Sequence, residues 1–229
     1  MLTLSHIRYD VTDDLGHVDI LRDVDFIIPQ NRFVVITGPN GGGKSTIIKI
    51  ISGFYTPDKG TIEIDGESYT HLTPQKAIDL GIQVIYQDFS IFPNLTVAEN
   101  IFVGRREFKH KVINERSREL MKRFHLDIDV TRPLSYFSTA VQQMVSIARA
   151  VNINAKILIL DEPTSSLDEN EVQLLFNVVR ELKQEGMGII FITHFLDQIY
   201  AISDRMTILR NGRLVGTYGI DEIGKLELV

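Results

Sequence analysis

The chain has 229 residues, 44% apolar and 24% charged, the balance of a globular protein with a sizeable core rather than a disordered or fibrous one. Its 24 basic and 30 acidic residues leave a net charge of −6, which argues against wrapping duplex nucleic acid, and the absence of cysteine excludes disulfides, thiolate metal sites and cysteine nucleophiles. No window nears the roughly 20 apolar residues of a membrane span, and the opening MLTLSHIRYD lacks the layout of a secretory signal, so the reading is a soluble, cytosolic chain.

The first third reads as short strands at Leu2–Tyr9, Ile20–Ile28, Phe33–Thr37 and Thr61–Ile64. Val24, Phe26 and Ile28 alternate with Asp23, Asp25 and Ile27, the pattern of a half-buried strand. Turns are expected at Asp13–Gly16 and Pro57–Gly60. A glycine-rich loop follows Thr37, then a helix over Ser45–Ser52 that Gly53 stops. The middle, 88–152, reads as helical. Thr96-Val-Ala-Glu99 is a capping box, Glu115–Phe124 a charged amphipathic helix, and Thr139-Ala-Val-Gln142 a second capping-box candidate opening a helix through Val151. The last third alternates a buried strand at Lys156–Leu160, a helix at Glu169–Glu185 and a strand at Gly188–Thr193. Met206–Leu209 and Arg213–Val215 form a hairpin through a type I′ turn at Asn211-Gly212. Such alternation implies a parallel sheet with helices on both faces, and the helical middle suggests a subdomain.

Gly38-Pro39-Asn40-Gly41-Gly42-Gly43-Lys44-Ser45 matches G-x-x-x-x-G-K-[ST] in full, between a strand and a helix. The glycines let successive N–H groups face one concavity, and the helix start adds positive potential. Lys44 can then reach the terminal phosphates of a nucleotide, and Ser45 can ligate Mg²⁺. Downstream, Ile157-Leu-Ile-Leu160-Asp161-Glu162-Pro163 delivers two carboxylates at the end of a buried strand. Asp161 suits Mg²⁺, and Glu162 suits polarising an attacking water.

Taken together, these motifs resemble the nucleotide-binding domain of ABC transporters over nearly the whole chain. The resemblance implies an α/β fold: a P-loop NTPase core with a mainly parallel sheet, an N-terminal antiparallel β subdomain and an inserted α-helical subdomain. Residues 1–87 and 153–219 would form the core, 88–152 the helical part, and 220–229 a tail or the start of a linker. Gln87 resembles the family's Q-loop glutamine, at the nucleotide and Mg²⁺ site and the coupling region. Ser165-Ser-Leu-Asp168 resembles the D-loop, and His194 the switch histidine on the γ-phosphate. Tyr9 stands where the family stacks an aromatic on adenine. ATP and Mg²⁺ are the implied cofactors. The catalytic set is Glu162, His194, Lys44 and Gln87, with Gly38 through Thr46, Tyr9 and Ser138 binding nucleotide.

The signature segment departs from the family's Leu-Ser-Gly-Gly-Gln. Here it reads Phe137-Ser138-Thr139-Ala140-Val141, keeping the serine and neither glycine. Together with Gln142-Gln143-Met144-Val145 and Phe92-Pro-Asn-Leu-Thr-Val, it resembles importers of simple sugars of the ribose, galactose and xylose type, in particular the first ATPase half of a tandem chain. That resemblance implies an ATPase on the inner face of the cell membrane. Its partners would be integral-membrane permease subunits, a second ATPase domain and, indirectly, a solute-binding protein, with no nucleic acid. Alternatives are a non-transport ABC ATPase or a regulatory half with weak hydrolysis. The basic stretch from Arg105-Arg106 through Arg123 reads mainly as a solvated helix face. Phe89, Ile91, Phe92 and Leu95 are either core or the groove for a permease coupling helix.

Overall fold

The structure, a computed structural model, describes residues 1–13, 16–86, 91–105 and 109–224. It opens with a hairpin of β1 (Leu2–Asp13) and β2 (Gly16–Ile28), paired antiparallel from Leu2↔Ile28 to Asp13↔Gly16. β3 (Phe33–Thr37) is buried at every position and runs through the glycines into α1 (Lys44–Ile51). β4 (Lys59–Ile64) and β5 (Glu67–Tyr69) complete a four-stranded sheet in the order β2-β1-β4-β5. α2 (Pro74–Asp79), capped where the Thr73 hydroxyl accepts from the Lys76 N–H, precedes β6 (Ile82–Ile85).

α3 (Val97–Phe102), α4 (His110–Arg123), a 3₁₀ turn at Leu134–Tyr136 and α5 (Thr139–Asn152) form the helical middle. Alternation then resumes with β7 (Ile157–Asp161), α6 (Glu169–Gln184), β8 (Gly188–Ile192), α7 (Leu196–Ile202) and the hairpin of β9 (Arg205–Arg210) and β10 (Arg213–Gly219). The second sheet has the order β10-β9-β3-β8-β7-β6, parallel except for β10. No helix among the described residues is long and apolar enough to cross a membrane.

The apolar strands separate two cores because successive side chains face opposite sides. Phe33, Val35, Leu158, Leu160 and Phe191 pack with α5, α6 and the helical middle. Val34, Ile36, Ile159, Ile190 and Ile192 pack with Ile47, Ile48, Ile50 and Ile51 of α1 and the apolar face of the antiparallel sheet. Each buried isoleucine of α1 contributes about 1.5–3 kcal/mol, which anchors the helix whose first turn meets the glycine loop.

Most expected elements are present, several with different limits. The first hairpin is longer than read, and Leu15, in its expected turn, lies outside the described residues. The charged helix begins at His110, five residues before the expected Glu115. At α5 the cap is Ser138, not Thr139. Its hydroxyl accepts from the Val141 N–H, and the Gln142 amide donates to Phe137 O, so no reciprocal box forms. The Thr96–Glu99 box forms as expected. Asn211 and Gly212 both have positive φ (51° and 73°), as a type I′ turn requires.

Candidate functional site

Three adjacent parallel strands, β3, β8 and β7, end at one edge of the sheet. β3 stops at Thr37, and Gly38 turns the chain at φ 139°. A Cβ there would stand 1.9 Å from Leu209 O, so no other residue fits. The loop closes a tight turn in which the Gly42 N–H donates to Pro39 O at 3.1 Å. Gly43, φ 99°, then starts α1 without any side-chain cap. The first helical bond runs from the Ile47 N–H to Gly43 O, so the N–H groups of Lys44, Ser45 and Thr46 lie ahead of it. These uncapped amides and the helix dipole favour an anion.

A cleft of about 290 Å³ opens on this turn, lined by Asn40 to Thr46, Asp161 and Glu162. Lys44 is buried, and its ammonium donates to Gly38 O (2.7 Å) and Pro39 O (3.0 Å). Burial lowers its pKa, while Glu162 and Asp161 pull the other way. Asp161, at the end of β7, is pushed above the usual carboxylate range by burial and then by Glu162, against the pull of Lys44 and Lys49. The site therefore sets one buried cation against two carboxylates. Ser45 is exposed and carries a hydroxyl on the same cleft as Asp161. Hard oxygen donors of this kind suit Mg²⁺.

Glu162 adopts φ 46°, unusual for a side chain of its size. Its N–H donates to Ile192 O at 3.0 Å, tying it to the end of β8. His194 follows β8, and its Nδ1 reaches Glu162 Oε1 at 3.4 Å. Its ring lies 4.2 Å from that of Phe195. A support absent from the sequence reading is Gln198, whose Oε1 accepts from the hydroxyls of Thr164 (2.7 Å) and Thr193 (3.4 Å). It links the segments after β7 and β8. The signal for it was a threonine just past each strand, visible only once the two strands were known to be neighbours.

The remaining expected residues fall elsewhere. Tyr9 stacks on Tyr55 at 5.1 Å and 7°, beside a separate cavity of about 330 Å³ that includes Asp10 and Asp58. Burial raises its phenol pKa. Neither Tyr9 nor Ser138 lines the phosphate-loop cleft. Gln87, like Phe89 and Arg106, lies outside the described residues. Asp168 caps α6 in a reciprocal box with Glu171. Ile91 packs against the core, whereas Phe92 is half exposed. In the basic stretch Arg105 donates to Asn152 O, Lys111 pairs with Glu115 and Arg123 with Glu185, as on a solvated helix face.

The ABC transporter family matches residues 21–165. The chain is 44% identical over 217 residues to the galactofuranose transporter ATP-binding protein YtfR of Escherichia coli (strain K12), covering 93% of this chain and 43% of that protein. It is 44% identical over 224 residues to the ribose import ATP-binding protein RbsA 1 of Rubrobacter xylanophilus, covering 96% and 45%. The chain thus spans less than half the length of these relatives. Among solved structures, it is similar to a dimeric, post-hydrolysis ATP-binding cassette, MJ0796, bound to ADP and Pi (TM-score 0.85, 25% identity, 96% of this chain and 99% of that one). The ADP conformation of the cassette MJ1267 shares the fold (TM-score 0.87, 24% identity, 97% and 92%).

Proposed function

The chain belongs to the ABC transporter family, and from that premise we propose that it is the ATP-binding, ATP-hydrolysing component of an importer for a simple sugar. The observation that carries this reading is the single cleft on which the loop Asn40–Thr46 meets Asp161 and Glu162. The names of the relatives support a sugar as cargo.

In this reading the β- and γ-phosphates of ATP enter the loop. The amides of Gly41 and of Gly43 to Thr46 and the Lys44 ammonium hold the transferring phosphoryl group and stabilise the charge that grows on it. Lys44 exchanges its carbonyl partners for phosphate oxygens. Ser45 and Asp161 would hold Mg²⁺, with Gln87 as a further ligand. When bound, the ion neutralises charge on the phosphate oxygens. Glu162 accepts the proton of the attacking water or fixes its lone pair toward phosphorus. His194 keeps Glu162 oriented and donates toward the γ-phosphate. Tyr9 offers its free face to the adenine.

A second copy or a second ATPase half would add its Ser138 helix start to the same γ-phosphate. The half-exposed Phe92 supports a groove for a permease helix on the cytoplasmic side of a membrane. The test is light scattering on Glu162→Gln with and without Mg·ATP. An ATP-dependent dimer is expected. A protein that binds no ATP overturns the reading. ATP binding without dimerisation assigns the partner surface to another ATPase half.

A further inference from the structure

We propose that Asn40 is a site of spontaneous deamidation, which ages the loop from amide to carboxylate and closes it to anions. The chemistry needs an asparagine followed by an unhindered, free amide nitrogen. The Gly41 nitrogen attacks the Asn40 side-chain carbonyl carbon, the bond to the side-chain NH₂ breaks, and ammonia leaves a five-membered succinimide. Water then opens either carbonyl, giving aspartate or isoaspartate. No redox partner is required.

The structure meets each condition at Asn40-Gly41. Both residues are exposed. Space around Gly41 is open, with nothing within 4 Å of the position a Cβ would take, so its peptide plane is free to turn toward the neighbouring side chain. In this turn it is the Gly42 N–H that is engaged, to Pro39 O, while the Gly41 N–H donates to no group among the described residues. Asn40 carries no side-chain hydrogen bond there either, so its carboxamide is free to rotate.

The chain also contains an internal comparison. Asn211-Gly212 is the same dipeptide, equally exposed at Asn211. Its glycine N–H, however, donates to Gly42 O at 3.2 Å, and Gly212 is wedged so tightly that a Cβ would lie 2.2 Å from Ile20 O. That amide is neither free nor mobile. The shared Asn-Gly dipeptide by itself predicts similar lability, and tertiary structure predicts that Asn40 converts first.

The consequence follows from position. Asn40 lines the cleft beside the uncapped first turn of α1. A carboxylate there repels the phosphates that the loop is shaped to hold, and isoaspartate also lengthens the backbone of a four-residue turn.

The experiment is peptide mapping by mass spectrometry of the whole chain after warm, mildly alkaline incubation. Trypsin yields Phe33–Lys44, in which Asn40 is the sole amide side chain. A second protease supplies the Asn211 peptide. The expected result is conversion of Asn40 several-fold faster than Asn211, with both aspartate and isoaspartate as products. Equal rates, faster loss at Asn211, or aspartate alone would overturn the proposal. Asn40→Gln keeps its mass, because the longer side chain closes a ring poorly; loss of ammonia from that glutamine at the same rate also overturns it. Asn40→Asp is expected to weaken ATP binding by about tenfold; unchanged affinity removes the functional consequence. A last arm rests on the nucleotide-binding reading: Mg·ATP is expected to slow conversion at Asn40 and not at Asn211. Conversion that ATP leaves unchanged upholds the modification and counts against ATP in the loop.

Discussion

His194 Nδ1 and Glu162 Oε1 stand 3.4 Å apart, one just past β8 and the other just past β7. The contact makes the two residues a unit, and a unit loses its function only once. Glu162→Gln is expected to lower ATP turnover by about 10²–10⁴-fold with ATP binding retained. His194→Ala is expected to lose about tenfold or more, and the double variant no more than Glu162→Gln alone. Phosphate release and equilibrium nucleotide binding provide the check; additive losses would show that the residues act separately.

Lys44 holds its ammonium on Gly38 O and Pro39 O inside a buried pocket. Removing it leaves two loop carbonyls without that donor but also spares the cost of a buried charge. Lys44→Met is therefore expected to melt close to the parent while losing about 10²-fold or more in turnover, with weakened ATP binding. A variant that hydrolyses ATP normally would remove the loop from the mechanism.

Two loop glycines separate steric from conformational need. Gly38→Ala drives a Cβ to within 1.9 Å of Leu209 O at φ 139° and is expected to cost more than about 4 kcal/mol or prevent folding. Gly41→Ala meets nothing within 4 Å at φ 76° and is expected to cost only about 1–2 kcal/mol. Urea unfolding of both variants decides; comparable losses would contradict a loop packed at Gly38 and open at Gly41.

Acid stability reports on the first helix of the middle region. Glu99 is held below its ordinary pKa, first by the Thr96 N–H and then by the Thr96 hydroxyl. A carboxylate depressed in the folded state stabilises above its unfolded pKa, and that stability is lost as pH falls through the folded one. Glu99→Gln should show a flatter decline of the urea midpoint across that acid range than the parent. Thr96→Ala should cost about 1 kcal/mol near neutrality. Parallel pH curves for Glu99→Gln and the parent would refute the coupling.

Where chemistry is carried by neighbours along the chain, the sequence was readable. The loop Gly38–Ser45 and the pair Asp161-Glu162 each declare themselves by local pattern, because a phosphate cradle needs consecutive amides and a strand end presents consecutive side chains. The two apolar strands before them were equally plain. What escaped depends on distance. β5, α2 and α7 span three to seven residues and are held by packing rather than periodicity. The move of the α5 cap from Thr139 to Ser138 is a difference of one residue between two hydroxyls, decided by backbone angles. Nor does any local pattern announce that Gln198 bridges Thr164 and Thr193, or that Leu209 sets the size of residue 38.

The anion loop leans on a distant part of the chain: the Gly212 N–H donates to Gly42 O, and Leu209 O packs against Gly38. During synthesis the turn that braces the loop is translated some 170 residues after it. A growing chain therefore carries the whole loop Gly38–Ser45 long before it carries the brace. On the nucleotide-binding reading, capture by a nascent chain is expected only once the β9–β10 hairpin has emerged and docked against the loop.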